Sequence, residues 1–196
     1  MDLIANRKLL IETQHKMFAD NADGVRVCLD VGCGDAVRPG WVGIDKHVVR
    51  DGIINVDMYE LPYANATVDI IHSSHSLEHL PIRKAHQALR DWYRALKPGG
   101  MLFLTMPDLD VIMRILLTDI TPAQRRWYMY TLFGWQTHMG SPDTIDAPDD
   151  PGQYHCSGHT MQTLTQELLD IGYTIHESYL FEGYGTPGLY VNARKP

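Results

Sequence analysis

The stretch Val27-Cys28-Leu29-Asp30-Val31-Gly32-Cys33-Gly34-Asp35 constrains this chain more than any other. It reads as a short, β-branched strand running without pause into a glycine turn. Glycine adopts the backbone angles such a turn needs, and its missing side chain lets a ligand come within contact distance of the main chain. A strand, a tight Gly-x-Gly turn and an acid at the bend mark the place where open α/β sheets hold nucleotide-like ligands.

The rest of the chain can be ordered around that strand. Leu3, Ile4, Leu9, Leu10, Met17 and Phe18 recur at rough helical spacing and predict a leading amphipathic helix within residues 1–24. After the turn, Trp41 to Ile44 reads as a second short strand ending at Asp45. A helical crossover usually takes about a dozen residues, so the first helix of the usual pattern is clipped or absent. A third strand, from Ile53 to Val56, ends at Asp57, and a fourth runs from Val68 to His72. Pro81 opens a helix that Pro98-Gly99-Gly100 ends. The nearly continuous apolar run from Met101 to Met106 then predicts a central strand.

Residues 107–158 read as a helical and loop insertion, its helix divided at Thr121-Pro122, with a Gly-, Pro- and Asp-rich lid over residues 134–158. A helix from Thr160 to Asp170 and two strands, Tyr173 to Leu180 and Leu189 to Ala193, close a single domain.

At 196 residues the chain is long enough for one α/β core. No apolar run approaches the roughly 20 residues needed to cross a bilayer, and the first residues lack the order of a secretion signal. Cys28, Cys33 and Cys156 form no pairing framework, which suggests a reducing cytoplasm. A net charge of −7 disfavours broad polyanion binding. Arg83, Lys84, Arg90, Arg94 and Lys97 read more simply as a solvated helix face than as a nucleic-acid patch.

Three acids, Asp30, Asp45 and Asp57, end three successive strands. In an open parallel sheet such strand ends line one crevice. An acid after the second strand can accept both hydroxyls of a ribose, and one after the third can meet an adenine amine. Each alone could equally cap a turn.

The order of elements, with Val-Cys-Leu-Asp-Val-Gly-Cys-Gly-Asp, Gly-Trp-Val-Gly-Ile-Asp, Leu-Pro-Tyr-Ala-Asn, His-Ser-Leu-Glu-His-Leu and Leu-Lys-Pro-Gly-Gly, resembles the class I S-adenosylmethionine-dependent methyltransferases. It is most similar to the small group whose turn reads Gly-Cys-Gly-Asp followed by Pro-Gly-Trp. The likeness covers residues 27–106 closely and the closing strands more loosely. It implies an α/β, Rossmann-like, seven-stranded, mostly parallel sheet with helices on both faces and the last strand antiparallel. It further implies S-adenosylmethionine as cofactor. Asp30, Gly32, Cys33 and Gly34 would surround its methionine part. Asp45 and Lys46 would hold the ribose, Asp57 and Met58 would flank the adenine, and Ser74 or His75 would close over the sulfur. Asp35 departs from the group's usual glycine-rich continuation.

His75-Ser76-Leu77-Glu78-His79 carries the second constellation. Spaced i, i+3 and i+4, His75, Glu78 and His79 would share one face of a helical turn. Two imidazoles and a carboxylate suit Zn, Fe or Mn better than Mg or Ca. The cluster resembles the Glu-x-x-Glu-His sites of metal-dependent ubiquinone-pathway O-methyltransferases and of the plant small-RNA 2′-O-methyltransferase, which also recruit a distant histidine. Here His155, in Tyr-His-Cys-Ser-Gly-His, is the best candidate, ahead of His138 and His159, which read as exposed loop residues. Without a metal, His79 is a candidate general base, with Glu78 and His155 beside it. A purely structural role is the third reading. Trp127, Tyr128, Tyr130 and Trp135 either line an acceptor pocket or pack in the core.

The expectation is therefore a cytoplasmic enzyme, monomeric or homodimeric, that methylates an oxygen of a small molecule or sugar. A nicotinamide oxidoreductase is disfavoured by the short spacing to Asp45 and the missing third fingerprint glycine. A nucleic-acid methyltransferase is disfavoured by the acidic charge. A catalytically silent cofactor-binding sensor or scaffold is the non-enzymatic alternative.

Overall fold

The computed structural model describes residues 3–36, 38–136, 149–183 and 185–196. Seven strands form one sheet: β1 (Cys28–Val31), β2 (Val42–Ile44), β3 (Ile53–Ile54), β4 (Val68–Ser74), β5 (Leu96–Pro107), β6 (Thr174–Gly183) and β7 (Thr186–Arg194). Their spatial order is β3-β2-β1-β4-β5-β7-β6. The first five run parallel, and β7 lies antiparallel between β5 and β6. Strand order reverses between β1 and β4, so the crevice at their carboxyl ends is where such a sheet receives a ligand.

Helices cover both faces. Helix α1 (Leu3–Ala19) packs on one face, where Leu10 and Met17 join Cys28, Trp41, Ile70 and Phe103. On the other face lie α2 (Ile82–Ala95) and α5 (Met161–Ile171). In α2 the buried residues Ala85, Ala88, Leu89, Trp92 and Ala95 follow the 3–4 residue period of a helix with one apolar face. Trp92 closes that layer, its indole N–H donating to Met58 O at 2.7 Å. The helical insertion is α3 (Leu109–Leu116) and α4 (Pro122–Phe133), divided as expected at Thr121-Pro122, where Thr121 and Gln124 form a reciprocal capping box.

Several boundaries differ from expectation. No helix stands between β1 and β2 among the described residues, as the short spacing implied. Pro98-Gly99-Gly100 does not end a helix before β5. It lies within the strand, because Gly99 N–H bonds to Lys195 O and Gly100 O accepts from Lys195 N–H, extending the sheet past the proline. Strands β6 and β7 run on through Gly183 and Pro187 to a hairpin turn. His75, Glu78 and His79 do not share a helical turn. Only Leu77–His79 is helical, as a single 3₁₀ turn, and His75 precedes it with φ 50°.

Candidate functional site

The glycine turn has the shape its sequence demands. Gly32 (φ 70°) and Gly34 (φ 56°) both lie in the left-handed region. A Cβ on Gly32 would lie 2.2 Å from Ser76 Cβ, so that glycine lets the segment after β4 press against the turn. A Cβ on Gly34 would meet nothing within 4 Å, so the main chain there borders open space. Such open space beside a bare main chain at the switch point fits a nucleotide-like cofactor.

The acids divide by role. Asp45, directly after β2, accepts from Gly34 N–H at 2.9 Å through one oxygen and from His47 and Val48 N–H at 2.8 and 3.1 Å through the other. It thereby ties the glycine turn to the second strand. Asp57 pairs with Lys46 at 2.9 Å. Burial opposes its charge, but hydrogen bonds from Lys46 and Tyr59 outweigh this and hold its carboxyl below the usual range. Met58 lies half-buried, its methyl 3.5 Å from a Cβ placed on Gly32.

Asp30 is different. It is 3% exposed, and its two oxygens are taken by Arg38 Nε and His72 Nδ1, each at 2.7 Å. An ionised carboxylate only accepts, so His72 Nδ1 carries the hydrogen, and His72 Nε2 accepts from the Gln14 amide at 3.1 Å. Asp30 thus belongs to a chain, Gln14–His72–Asp30–Arg38, that fastens α1 and the loop after the turn to β1. Burial again opposes the Asp30 charge, and His72 and Arg38 outweigh it, so its pKa lies below the ordinary value. Sequence reading missed this chain, although a histidine ending the apolar run Val68-Asp69-Ile70-Ile71-His72 was its signal.

Cys33 turns away from the open side: Gly43 faces its sulfur, and the thiol donates to Gly34 O at 3.3 Å. Burial pushes its pKa up to about 12. Ser74 ends β4 and accepts from the Thr105 hydroxyl at 2.7 Å. His75 and Ser74 line a cleft of about 110 Å³ with Arg7, Gln14, Thr105 and Phe181. The α1 residues in that wall had no sequence signal beyond helical spacing.

Beyond the cleft lies the histidine cluster. Glu78 is 2% exposed, and neither of its oxygens accepts a hydrogen bond from the described residues. His75 Nδ1 stands 3.5 Å from Glu78 Oε1, an electrostatic approach too long for an ordinary hydrogen bond. Burial disfavours the Glu78 charge, and the imidazoles of His75, His79 and His155 outweigh it, lowering its pKa. His79 Nδ1 donates to Tyr154 O at 3.1 Å, and His155 Nδ1 donates to Thr131 O at 2.9 Å. Carbonyls accept only, so each ring keeps its Nε2 lone pair free. The two rings meet edge-to-face, centroids 4.9 Å apart. Burial pushes the His155 pKa down, against the pull of Glu78.

The segment before α5 is strapped onto the 3₁₀ turn, since Cys156 and Ser157 N–H both donate to Glu78 O. Its other side is zipped to the end of α4, where His155 N–H donates to Phe133 O and Gly134 bridges Tyr154. His159, expected on an exposed loop, is 3% exposed and lies 3.4 Å from Glu167. His138 and most of the lid lie outside the described residues. Helix α4 buries no residue, so core packing does not explain its aromatics: Trp135 stacks on Tyr130, centroids 5.0 Å apart, and meets Trp127 edge-on.

Residues 29–104 match the family described as "Methyltransferase domain", which spans β1 to β5 and both clusters' first residues. Over the whole molecule the fold is that of the S-adenosylmethionine-dependent methyltransferases, shared with one from Methanosarcina mazei at a TM-score of 0.63 and 15% identity, covering 91% of this chain and 96% of that one. The matched segment is thus similar to a methyltransferase domain, and the fold is one that S-adenosylmethionine-dependent methyltransferases share.

Among individual relatives, a putative methyltransferase of Encephalitozoon cuniculi is 29% identical over 91 residues, 40% of this chain and 43% of that protein. Methyltransferase GfsG of Streptomyces halstedii is 28% identical over 120 residues, 48% and 41%. The chain thus spans less than half the length of these curated relatives. No helix among the described residues is long and apolar enough to cross a membrane.

Proposed function

We propose that this protein methylates an oxygen of a small molecule or sugar, using S-adenosylmethionine held at the glycine turn. The observation that carries the reading is the pairing, around the carboxyl end of β4, of an open glycine crevice with the edge-to-face imidazoles of His79 and His155, each held to a backbone carbonyl through Nδ1. In this reading Gly32, Gly34 and the Cys33 main chain border the methionine part, with Asp30 setting the loop through Arg38. Asp45 and Lys46 hold the ribose side, Asp57 and Met58 the adenine side, and Ser74 and His75 the sulfur end. Bound there, the cofactor supplies an electrophilic methyl group.

The chain's own contribution is placement and proton handling. His79, with Glu78 and His155 around it, accepts the hydroxyl proton as the oxygen takes the methyl. An imidazole suits this because its ordinary range brackets neutral pH. Most of the rate would come from aligning the oxygen with the methyl–sulfur bond and excluding water, a task for the α4 region and the lid. Glu78, His79 and His155 would also hold Zn, Fe or Mn, which would supply Lewis-acid activation of a hydroxyl there. The narrower placement in the Gly-Cys-Gly-Asp, Pro-Gly-Trp group rests on motif likeness, and the expectation of a cytoplasmic protein rests on the cysteine pattern.

Calorimetry with S-adenosylmethionine and with NAD, followed by incubation of metabolite fractions with methyl-labelled cofactor, tests the reading. It expects cofactor binding and a labelled, alkali-stable ether. Binding of NAD alone overturns it, and binding with no transfer to any fraction assigns the chain to the sensor class instead.

A further inference from the structure

We infer that Glu78, His79 and His155 form a three-ligand site for a divalent transition ion, zinc in the first place, and that this ion clamps the segment before α5 onto the 3₁₀ turn after β4. The inference rests on the functional reading above only for the ion's use, not for its binding; with an ion held, His79 Nε2 would be a ligand, and the ion would take over from that imidazole the activation of the hydroxyl.

Four observations converge on it. One ligand atom from each of the three residues lies within 4.8 Å of the others. Atoms bound to one zinc at about 2.0–2.2 Å stand roughly 3.4 Å apart in a tetrahedron, so a modest closure of side chains completes the shell. Both imidazoles donate Nδ1–H to backbone carbonyls, Tyr154 O and Thr131 O. That is the outer-shell arrangement which orients histidine ligands and leaves Nε2 to bind.

Glu78 supplies the third observation. A carboxylate that is 2% exposed and accepts no hydrogen bond from the described residues is costly unless a cation meets it. His75 at 3.5 Å is a partial answer. The fourth is space beside the group: a cavity of about 20 Å³ borders Glu78 and His155, but not His79, and is bounded by Thr131, Ser157 and Gly158. That is enough for a single small atom, since a water needs only about 10–15 Å³.

Two histidines with one glutamate form a recognised donor set for zinc with a fourth position open to an exchangeable ligand. Magnesium and calcium prefer oxygen donors and are disfavoured. His75, which helical spacing had grouped with Glu78 and His79, is not in the group. It stands outside the helical turn with positive φ, lines the cleft with Ser74, and approaches Glu78 from the side.

The site also has a mechanical consequence. Glu78 and His79 belong to the 3₁₀ turn, whereas His155 belongs to the segment before α5. An ion bound by all three therefore ties that segment to the sheet, reinforcing the Cys156 and Ser157 N–H bonds to Glu78 O.

The test uses protein purified without chelator for elemental analysis, then stripped protein titrated calorimetrically with zinc, manganese and magnesium. S-adenosylmethionine is titrated in parallel. The expected result is about one zinc or manganese per chain and no magnesium. Glu78→Gln, His79→Ala and His155→Ala should each weaken binding by about 10-fold or more. His75→Asn should bind the ion within about twofold of the parent. Zinc should also slow proteolysis between residues 149 and 158 in the parent and not in His155→Ala. Circular dichroism confirms that each variant is folded, and Glu78→Asp serves as the milder carboxylate variant should Glu78→Gln unfold. Folded protein that takes up S-adenosylmethionine but neither zinc nor manganese overturns the inference and leaves the functional reading standing. Undiminished zinc binding by the His79→Ala, His155→Ala double variant overturns it as well. Failure to bind S-adenosylmethionine overturns the functional reading instead.

Discussion

Replacing Gly32 and Gly34 by alanine, one at a time, should separate what the glycine turn does for the fold from what it does for the ligand. Their φ values are 70° and 56°, where an L residue pays roughly 1–2 kcal/mol. At Gly34 the cost ends there, because nothing lies within 4 Å of the added methyl. For a domain of this size about 1 kcal/mol corresponds to roughly 2–4 °C, so Gly34→Ala should melt about 2–8 °C lower.

At Gly32 the methyl would sit 2.2 Å from Ser76 Cβ and 2.6 Å from its hydroxyl oxygen. Ser76 cannot simply retreat, since it is buried and bonded to Ser73 at 2.5 Å and Val31 O at 3.3 Å. Overpacking of this kind adds about 1–3 kcal/mol. The total of roughly 2–5 kcal/mol corresponds to a fall of about 4–20 °C. Binding should follow the reverse order among folded protein. The Gly34 methyl projects into the crevice, and one intruding methyl in a fitted site is worth about 10–200-fold in affinity. Thermal unfolding by circular dichroism and calorimetric titration with S-adenosylmethionine measure the two effects. The reasoning is refuted if Gly34→Ala binds the cofactor within about twofold of the parent, or if Gly32→Ala melts no lower than Gly34→Ala.

Other consequences follow from single groups. Asp30→Asn breaks a buried pair and should lower stability at neutral pH by about 3 kcal/mol, read from urea midpoints. Because His72 and Arg38 depress the Asp30 pKa despite burial, its stabilisation is present above the ordinary carboxylate range and lost as pH falls through the depressed value. The parent should therefore show a steeper acid limb than the variant, and equal limbs would count against the network. Asp45→Ala removes the acceptor of three backbone N–H groups and should weaken cofactor binding by about 10–100-fold, measured by calorimetry, with a smaller effect on melting. Burial pushes Cys28 up to about 11 and Cys33 up to about 12, whereas Cys156 is exposed. Titration with a disulfide reagent should find Cys156 fast in native protein and the other two only after unfolding.

Much of the architecture was legible because it rests on local physics. Gly32 and Gly34 announce a turn with positive φ, Thr121-Pro122 announces a helix start, and the unbroken apolar run in β5 announces a central strand. The strand count and the antiparallel β7 came from likeness of motif order rather than from any residue. The boundaries that went astray did so where a distant partner intervenes. Pro98-Gly99-Gly100 is strand because Lys195, nearly a hundred residues away, bonds to it.

The candidate site divides along the same line. Periodicity alone grouped His75 with Glu78 and His79, a helical assumption that fails because the chain there makes only one 3₁₀ turn. What the sequence by itself determined is the glycine turn and the acids that end its neighbouring strands, since all of them fall within residues 30–57 and each is marked by its own local pattern. Only the tertiary structure decided that Asp30 is paired with His72 and Arg38, that Gln14 reaches His72 from α1, and that His155 joins Glu78 and His79. The physical reason is that burial and pairing over tens of residues depend on how layers pack, and no local pattern records which side chains that packing will bring face to face.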